Sequence, residues 1–121
     1  MREPPPYQWS VYTIDVESVP ASDTSGRRPV LVVSRESANQ VLPVVTVLPL
    51  TSHRAGRRVY PNEVLLPSDS AGLKDDAIAM AHQTRTVAKV RLAEPLGKLE
   101  DDDLRTEIRR AMCVQLNLEP A

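Results

Sequence analysis

Val41-Leu42-Pro43-Val44-Val45-Thr46-Val47-Leu48-Pro49-Leu50 is a nearly continuous aliphatic run that ends on two hydroxyls, Thr51-Ser52. A run too dense in Val and Leu to alternate with polar residues is expected of a strand covered on both faces. Val30 to Ser34 has the same character, and Asn39 lies in the connection between the two runs. Upstream, Tyr7 to Val16 is rich in β-formers and is bounded by Pro20, which predicts a first strand. Ser18 to Gly26 is small and polar, the composition of a loop, and leads straight into Arg27-Arg28.

Downstream, His53 to Arg58 reads as a loop, Glu63 to Leu66 as a short strand and Ser68 to Gly72 as a turn. Ala77 to Ala81 and Thr84 to Val87 read as strand residues interrupted by polar ones, and Arg91 to Leu99 as a further extended piece. Residues 100–116 read as a C-terminal helix: acids crowd the first turn, Leu104, Ile108, Met112 and Leu116 recur at helical spacing, and Arg109-Arg110 fall later in the dipole. Leu104, Ile108 and Met112 are expected to pack on the sheet. Many short strands and one terminal helix predict a mainly β (α+β) fold, a small barrel of twisted antiparallel sheet with helical decoration.

The length of 121 residues suits one domain over 1–121, with residues 1–6, opened by Pro4-Pro5-Pro6, as an extended tail. The chain is 41% hydrophobic and 26% charged, but it has no Phe and only one Trp and three Tyr. Such an aliphatic core is thin for its size, and self-association would add buried area, so a homodimer is expected. No apolar run approaches the roughly 20 residues of a membrane span. No apolar segment like that of a signal peptide follows Met1 to Pro6, which predicts a cytoplasmic protein without a membrane partner. Cys113 is the only cysteine, which leaves no internal disulfide, and with two histidines beside it no metal site or other cofactor is expected.

Net charge is −1, yet the charge is uneven: residues 1–60 hold seven Arg against five Asp/Glu, and residues 61–121 hold eight Lys/Arg against eleven Asp/Glu. Between Arg27 and Arg58 there are six arginines and one acid, Glu36, so a basic surface can exist on a nearly neutral protein. The basic pair at Arg27-Arg28, the hydroxyls at Thr51-Ser52 and the block His82-Gln83-Thr84-Arg85-Thr86 supply a cation, hydroxyl donors and a titratable group. Those are the parts of a small metal-free site for gripping or cleaving RNA phosphates. RNA carries its own nucleophile, the 2'-hydroxyl, so a protein need add only proton transfer and donors for the charge building on phosphoryl oxygens. Arginine suits the last task because its guanidinium stays charged and offers paired donors.

Gly26-Arg27-Arg28-Pro29-Val30-Leu31-Val32-Val33-Ser34, then Asn39, then Val47-Leu48-Pro49-Leu50-Thr51-Ser52, then Gln83-Thr84-Arg85-Thr86-Val87 with Arg91-Leu92, resemble in order and spacing the MazF/PemK family of bacterial toxins. The resemblance covers nearly the whole chain. It implies an SH3-like barrel forming a two-fold dimer, a sequence-specific endoribonuclease acting on single-stranded RNA, and a cognate antitoxin protein that holds it inactive. It also implies that Arg28 is the catalytic arginine and Thr51 the catalytic hydroxyl. On composition alone, Arg28 reads rather as a solvated residue flanking a strand and Thr51-Ser52 as a turn that hydrogen-bonds its own backbone; the joint spacing with the His82 to Thr86 block favours the site.

His82 stands where the family often has an Asp, implicated in proton transfer or RNA contact. An imidazole titrates near neutral pH and is a candidate acid or base; a satisfied structural histidine is the alternative. Arg27, Ser52, His53, Arg54, Gln83 and Arg85 are the candidate RNA-binding residues, with Arg57 and Arg58 in the same basic loop. Tyr7 and Trp9 are base-stacking or core residues. The family's opening Gly-Asp is replaced by Trp9-Ser10, and Asp23 is the one substitute for the acid of its first loop. The rival readings are a gyrase poison like CcdB, whose Trp-Gly-Ile ending is absent from Leu118-Glu119-Pro120-Ala121, and a barrel that only binds a protein partner.

Overall fold

The computed structural model describes residues 6–15 and 27–119. The tail before residue 6 and the loop carrying Asp23 lie outside the described residues. Seven strands, β1 Ser10–Asp15, β2 Arg27–Val32, β3 Val44–Ser52, β4 Glu63–Leu66, β5 Ala77–Met80, β6 Arg85–Ala88 and β7 Pro95–Lys98, make one antiparallel sheet. Its order is β4-β5-β3-β2-β1-β7, with β6 on β3. The helices are α1 Glu36–Val41 and α2 Asp102–Leu116. The result is a curled half-barrel with a C-terminal helix.

The aliphatic run is the spine. Val47 to Pro49 pairs with β2, Val44 to Val47 with β6, and Leu50 to Ser52 with β5. Its residues feed two apolar layers, because successive side chains of a strand point to opposite faces. Leu48 and Leu50 join Trp9, Val11, Leu31, Leu66 and Leu99 beneath α2, whereas Val45 and Val47 join Ile14, Val30, Val32 and Val87 on the other side. Coverage on both faces explains why the run does not alternate.

The helix α2 begins where Asp101 accepts a hydrogen bond from the Leu104 backbone N–H at 3.0 Å, and it ends at Asn117 in the left-handed region. Ile108 and Ala111 are fully buried, with Leu104 and Met112 packed beside them; Leu116 instead faces solvent. No helix among the described residues is long and apolar enough to cross a membrane.

Four boundaries differ from the sequence reading. The connection around Asn39 is α1, and Val41 ends that helix rather than opening a strand. Six residues are too few for helical periodicity to register; the turn is held by tertiary polar contacts. Asn39 is buried, receives the Ser34 hydroxyl and donates to the Ser34 carbonyl, while Glu36 accepts the backbone N–H groups of Tyr7 and Gln8. Residues 89–91 form a 3-10 turn, so only Pro95–Lys98 of the 91–99 segment is strand. Residues 81–83 form a second 3-10 turn between β5 and β6. Trp9 adopts φ 72°, which delays β1 to Ser10.

The turn at residues 70–73 crosses β7 with almost no clearance. A Cβ on Gly72 would lie 2.0 Å from the Leu96 carbonyl oxygen and one on Gly97 2.6 Å from the Ala71 backbone, so both positions require glycine. This crossing fixes the turn that leads into the exposed segment Lys74 to Asp76.

Candidate active site

Register brings Arg28 and Thr51 together. The β2–β3 ladder ends at the pair Val30 and Pro49, and Arg28 and Thr51 each lie two residues beyond it on their strands, in the positions that the same register would place opposite one another. Residues opposite one another in an antiparallel pair point to the same face. Both side chains line one open groove of about 630 Å³, together with Ser52, Arg54 and Arg57 from the chain after β3. Lys74, Asp75 and Asp76 form the facing wall. Four cations and two carboxylates thus border the groove. The Asp76 carboxylate accepts the Ser68 backbone N–H at 2.8 Å, and the Asp76 carbonyl accepts that of His53 at 3.0 Å, which joins this wall to the arginine loop.

His82 lies elsewhere in the chain. Ile78 is the residue opposite Thr51, and β5 then carries the chain away from the groove at about 3.3 Å per residue. The 3-10 turn buries Ala81 and leaves the His82 ring at the mouth of a second hollow, with Nδ1 4.0 Å from Glu63 Oε2. The expected meeting of guanidinium, alcohol and imidazole is therefore met within the chain for the first two only. Gln83 sits beside the His82 ring, 3.4 Å between nitrogens, and Arg85 stands on β6 opposite Val47; neither lines the groove.

The remaining candidates divide. Ser52 and Arg54 line the groove. Arg27 turns to the adjacent strand and pairs with Asp15 at 3.4 Å. His53 holds the loop, its Nε2 3.2 Å from the Arg57 carbonyl. Trp9 is buried beneath the guanidinium groups of Arg105 and Arg109, at 5.3 and 5.1 Å from the ring centre. Tyr7 packs against Tyr12 under Lys89. Those rings are committed to the scaffold.

Glu63 is the functional neighbour that sequence reasoning missed. It is 2% exposed and accepts both Arg57 amino groups, Nη1 to Oε1 at 3.1 Å and Nη2 to Oε2 at 2.9 Å, plus the Tyr60 backbone N–H at 3.0 Å. The hydrogen bonds from Arg57 outweigh burial and hold the carboxyl below the usual carboxylate range. Lys74-Asp75-Asp76 was missed as well. The signal for Glu63 was an acid opening a strand five residues after a basic pair, but nothing local says that it points inward.

A model of PemK-like, MazF-like toxins of type II toxin-antitoxin systems matches residues 7–116. The chain belongs to this family. A Mycobacterium tuberculosis protein named endoribonuclease MazF9 is 34% identical over 113 residues, which covers 89% of this chain and 93% of that protein. A solved structure of a mycobacterial endoribonuclease in complex with its cognate antitoxin has a TM-score of 0.76 at 24% identity, covering 97% of this chain and all of that one, and it supports the PemK/MazF fold alone. A crystal structure of MazE-MazF from Deinococcus radiodurans has a TM-score of 0.71 at 26% identity, covering 94% and 97% of the two chains. The curled sheet with its C-terminal helix is the fold that the MazF/PemK resemblance implied.

Proposed function

We propose that this PemK/MazF-family chain is an endoribonuclease toxin that cleaves single-stranded RNA at short sequences without a metal ion, acts as a homodimer in the cytoplasm, and is neutralised by a cognate antitoxin. The observation that carries the reading is the placement of Arg28 and Thr51 in one groove with Arg54, Arg57 and Lys74. The relative named as an endoribonuclease supports the activity, and the solved MazE-MazF complex, 26% identical, supports the antitoxin.

In this reading the RNA backbone lies along the groove, drawn by its cations. The 2'-oxygen loses its proton and attacks phosphorus while the P–O5' bond breaks. The products are a 2',3'-cyclic phosphate and a 5'-hydroxyl, the latter taking up a proton as it leaves. Arg28 donates to the phosphoryl oxygens as their charge grows, and Thr51 orients them. Within one chain the proton passes to groove water or to Asp75, one of two exposed carboxylates lining the groove, the other of which, Asp76, is engaged by the Ser68 backbone N–H. The role assigned to His82 requires a second copy of the chain to bring its imidazole to the groove.

The test is incubation of purified protein with a long RNA in the presence of EDTA, followed by sequencing of the fragment ends. Discrete fragments with 5'-hydroxyl ends are expected, and none from Arg28→Ala of unchanged circular dichroism. Intact RNA with wild-type protein would leave a binding-only barrel; trapped gyrase on DNA would mark the CcdB-like alternative.

A further inference from the structure

We propose that Glu63 is a positioning residue for RNA binding: its buried carboxylate clamps Arg57 and so holds residues 53–60 as a preorganised wall that presents Arg54 to the RNA backbone. This rests on the ribonuclease reading above.

A carboxylate is costly to bury unless it is paired and hydrogen-bonded, and an apolar pair of similar volume would often serve stability as well. Stability alone therefore does not account for Glu63. Its bonds instead converge on one loop. Oε1 takes Arg57 Nη1 and the Tyr60 backbone N–H, Oε2 takes Arg57 Nη2, and the Glu63 backbone N–H donates to the Tyr60 carbonyl at 2.8 Å. Held there, Arg57 organises the rest. Its backbone N–H donates to the Arg54 carbonyl at 3.0 Å, its Nη1 donates to the Arg58 carbonyl at 2.6 Å, and its own carbonyl faces His53 Nε2. Gly56 at φ 83° lets the chain reverse between them.

Outside the loop, Arg110 Nη1 donates to the Pro61 carbonyl at 2.9 Å and Asn62 donates to Gln115 at 3.0 Å, which fastens the far end to α2. Arg57 borders both the groove and the hollow that contains Glu63 and His82, so it is the partition between them. Its charge is already matched by Glu63. Among the described residues Arg54 and Lys74 make no ion pair, so these two groove cations are available to meet phosphate. A loop fixed beforehand spares the ordering cost that a mobile arginine loop would incur on binding.

The test compares Glu63→Gln, Arg57→Gln and the double variant. The probe is an RNA cut by the wild type, carrying a 2'-deoxy substitution at the cut for binding and unmodified for kinetics. Each single change is expected to raise Kd and KM about tenfold with kcat within about threefold, and the double change to be no worse than either, since coupled positions are not additive. The dependence of log Kd on log salt is expected to stay at the wild-type slope. Hydrogen exchange, which needs no RNA, is expected to show the Arg57 and Tyr60 amides losing protection in Glu63→Gln.

If Glu63→Gln does not fold, the double variant, which leaves no buried unpaired charge, is compared with wild type on the same measurements. The proposal is overturned if Glu63→Gln binds RNA as well as wild type, or if Arg57→Gln or the double variant lowers the salt slope by about 0.7, the mark of a direct contact to single-stranded phosphate. Wild-type protein that neither binds nor cuts RNA overturns the ribonuclease reading and the RNA role with it. Loop exchange then reports on the clamp alone.

Discussion

The floor of the groove and its rim are built by different physics. Arg28 and Thr51 sit on paired strands, and their meeting follows from backbone register. The rim, from His53 to Tyr60, has no ladder to hold it and takes its shape from the buried carboxylate of Glu63, the first residue of β4. Register is set by whole apolar faces and resists point changes. A clamp of three hydrogen bonds does not. Chemistry is therefore expected to fail through the floor and affinity through the rim.

The largest effect that would test this division is Arg28→Ala. Losing one preorganised donor to a developing oxyanion costs roughly 10²- to 10³-fold in kcat. Arg28→Ala should reach that loss in a fragment-release assay with an unchanged urea midpoint; a pure KM effect would move Arg28 to the rim class. Thr51→Val is next: loss of a hydrogen bond to a charged group, about 1.5–3 kcal/mol, predicts a fall in kcat of about 10- to 100-fold.

His82→Gln sharpens the comparison from the other side. Loss of a general acid or base costs roughly 10²- to 10⁴-fold. Because His82 borders the second hollow rather than the groove, the expected loss is below about tenfold. A larger one in the steady-state rate would show that a partner subunit carries the imidazole to the phosphate.

The smallest effect is thermodynamic. Glu63 has its carboxyl held below the ordinary range by Arg57, so its stabilisation is complete above the unfolded value, about 4.3, and is lost as pH falls from there towards the lower folded value. Urea midpoints measured from pH 6 down to pH 3 should fall less steeply for Glu63→Gln than for wild type. Parallel slopes would mean that the pairing with Arg57 contributes little.

Much of this was legible in one dimension. The aliphatic runs at Val30 and Val44 announced doubly covered strands, Ile108 and Met112 announced the apolar face of α2, and the resemblance to the MazF/PemK family implied that Arg28 and Thr51 would share a position. Less legible were α1, too short for a period, and the destinations of side chains whose partners are remote. Arg27 and Arg28 are neighbours, yet one pairs with Asp15 and the other enters the groove, because alternate residues of a strand face opposite ways. Trp9, a candidate for stacking a base, lies under two arginines of α2.

By itself, the order of residues determined which segments would be strands and which helix, and the residue types available for phosphate chemistry, because periodicity and composition are properties of neighbours along the chain. Only the tertiary structure decided that His82 would turn toward Glu63 and not toward Thr51, and that Arg57 would be a strut. A carboxylate and a guanidinium find each other through space, and whether Glu63 points inward depends on the burial that β4 acquires from β5 and α2.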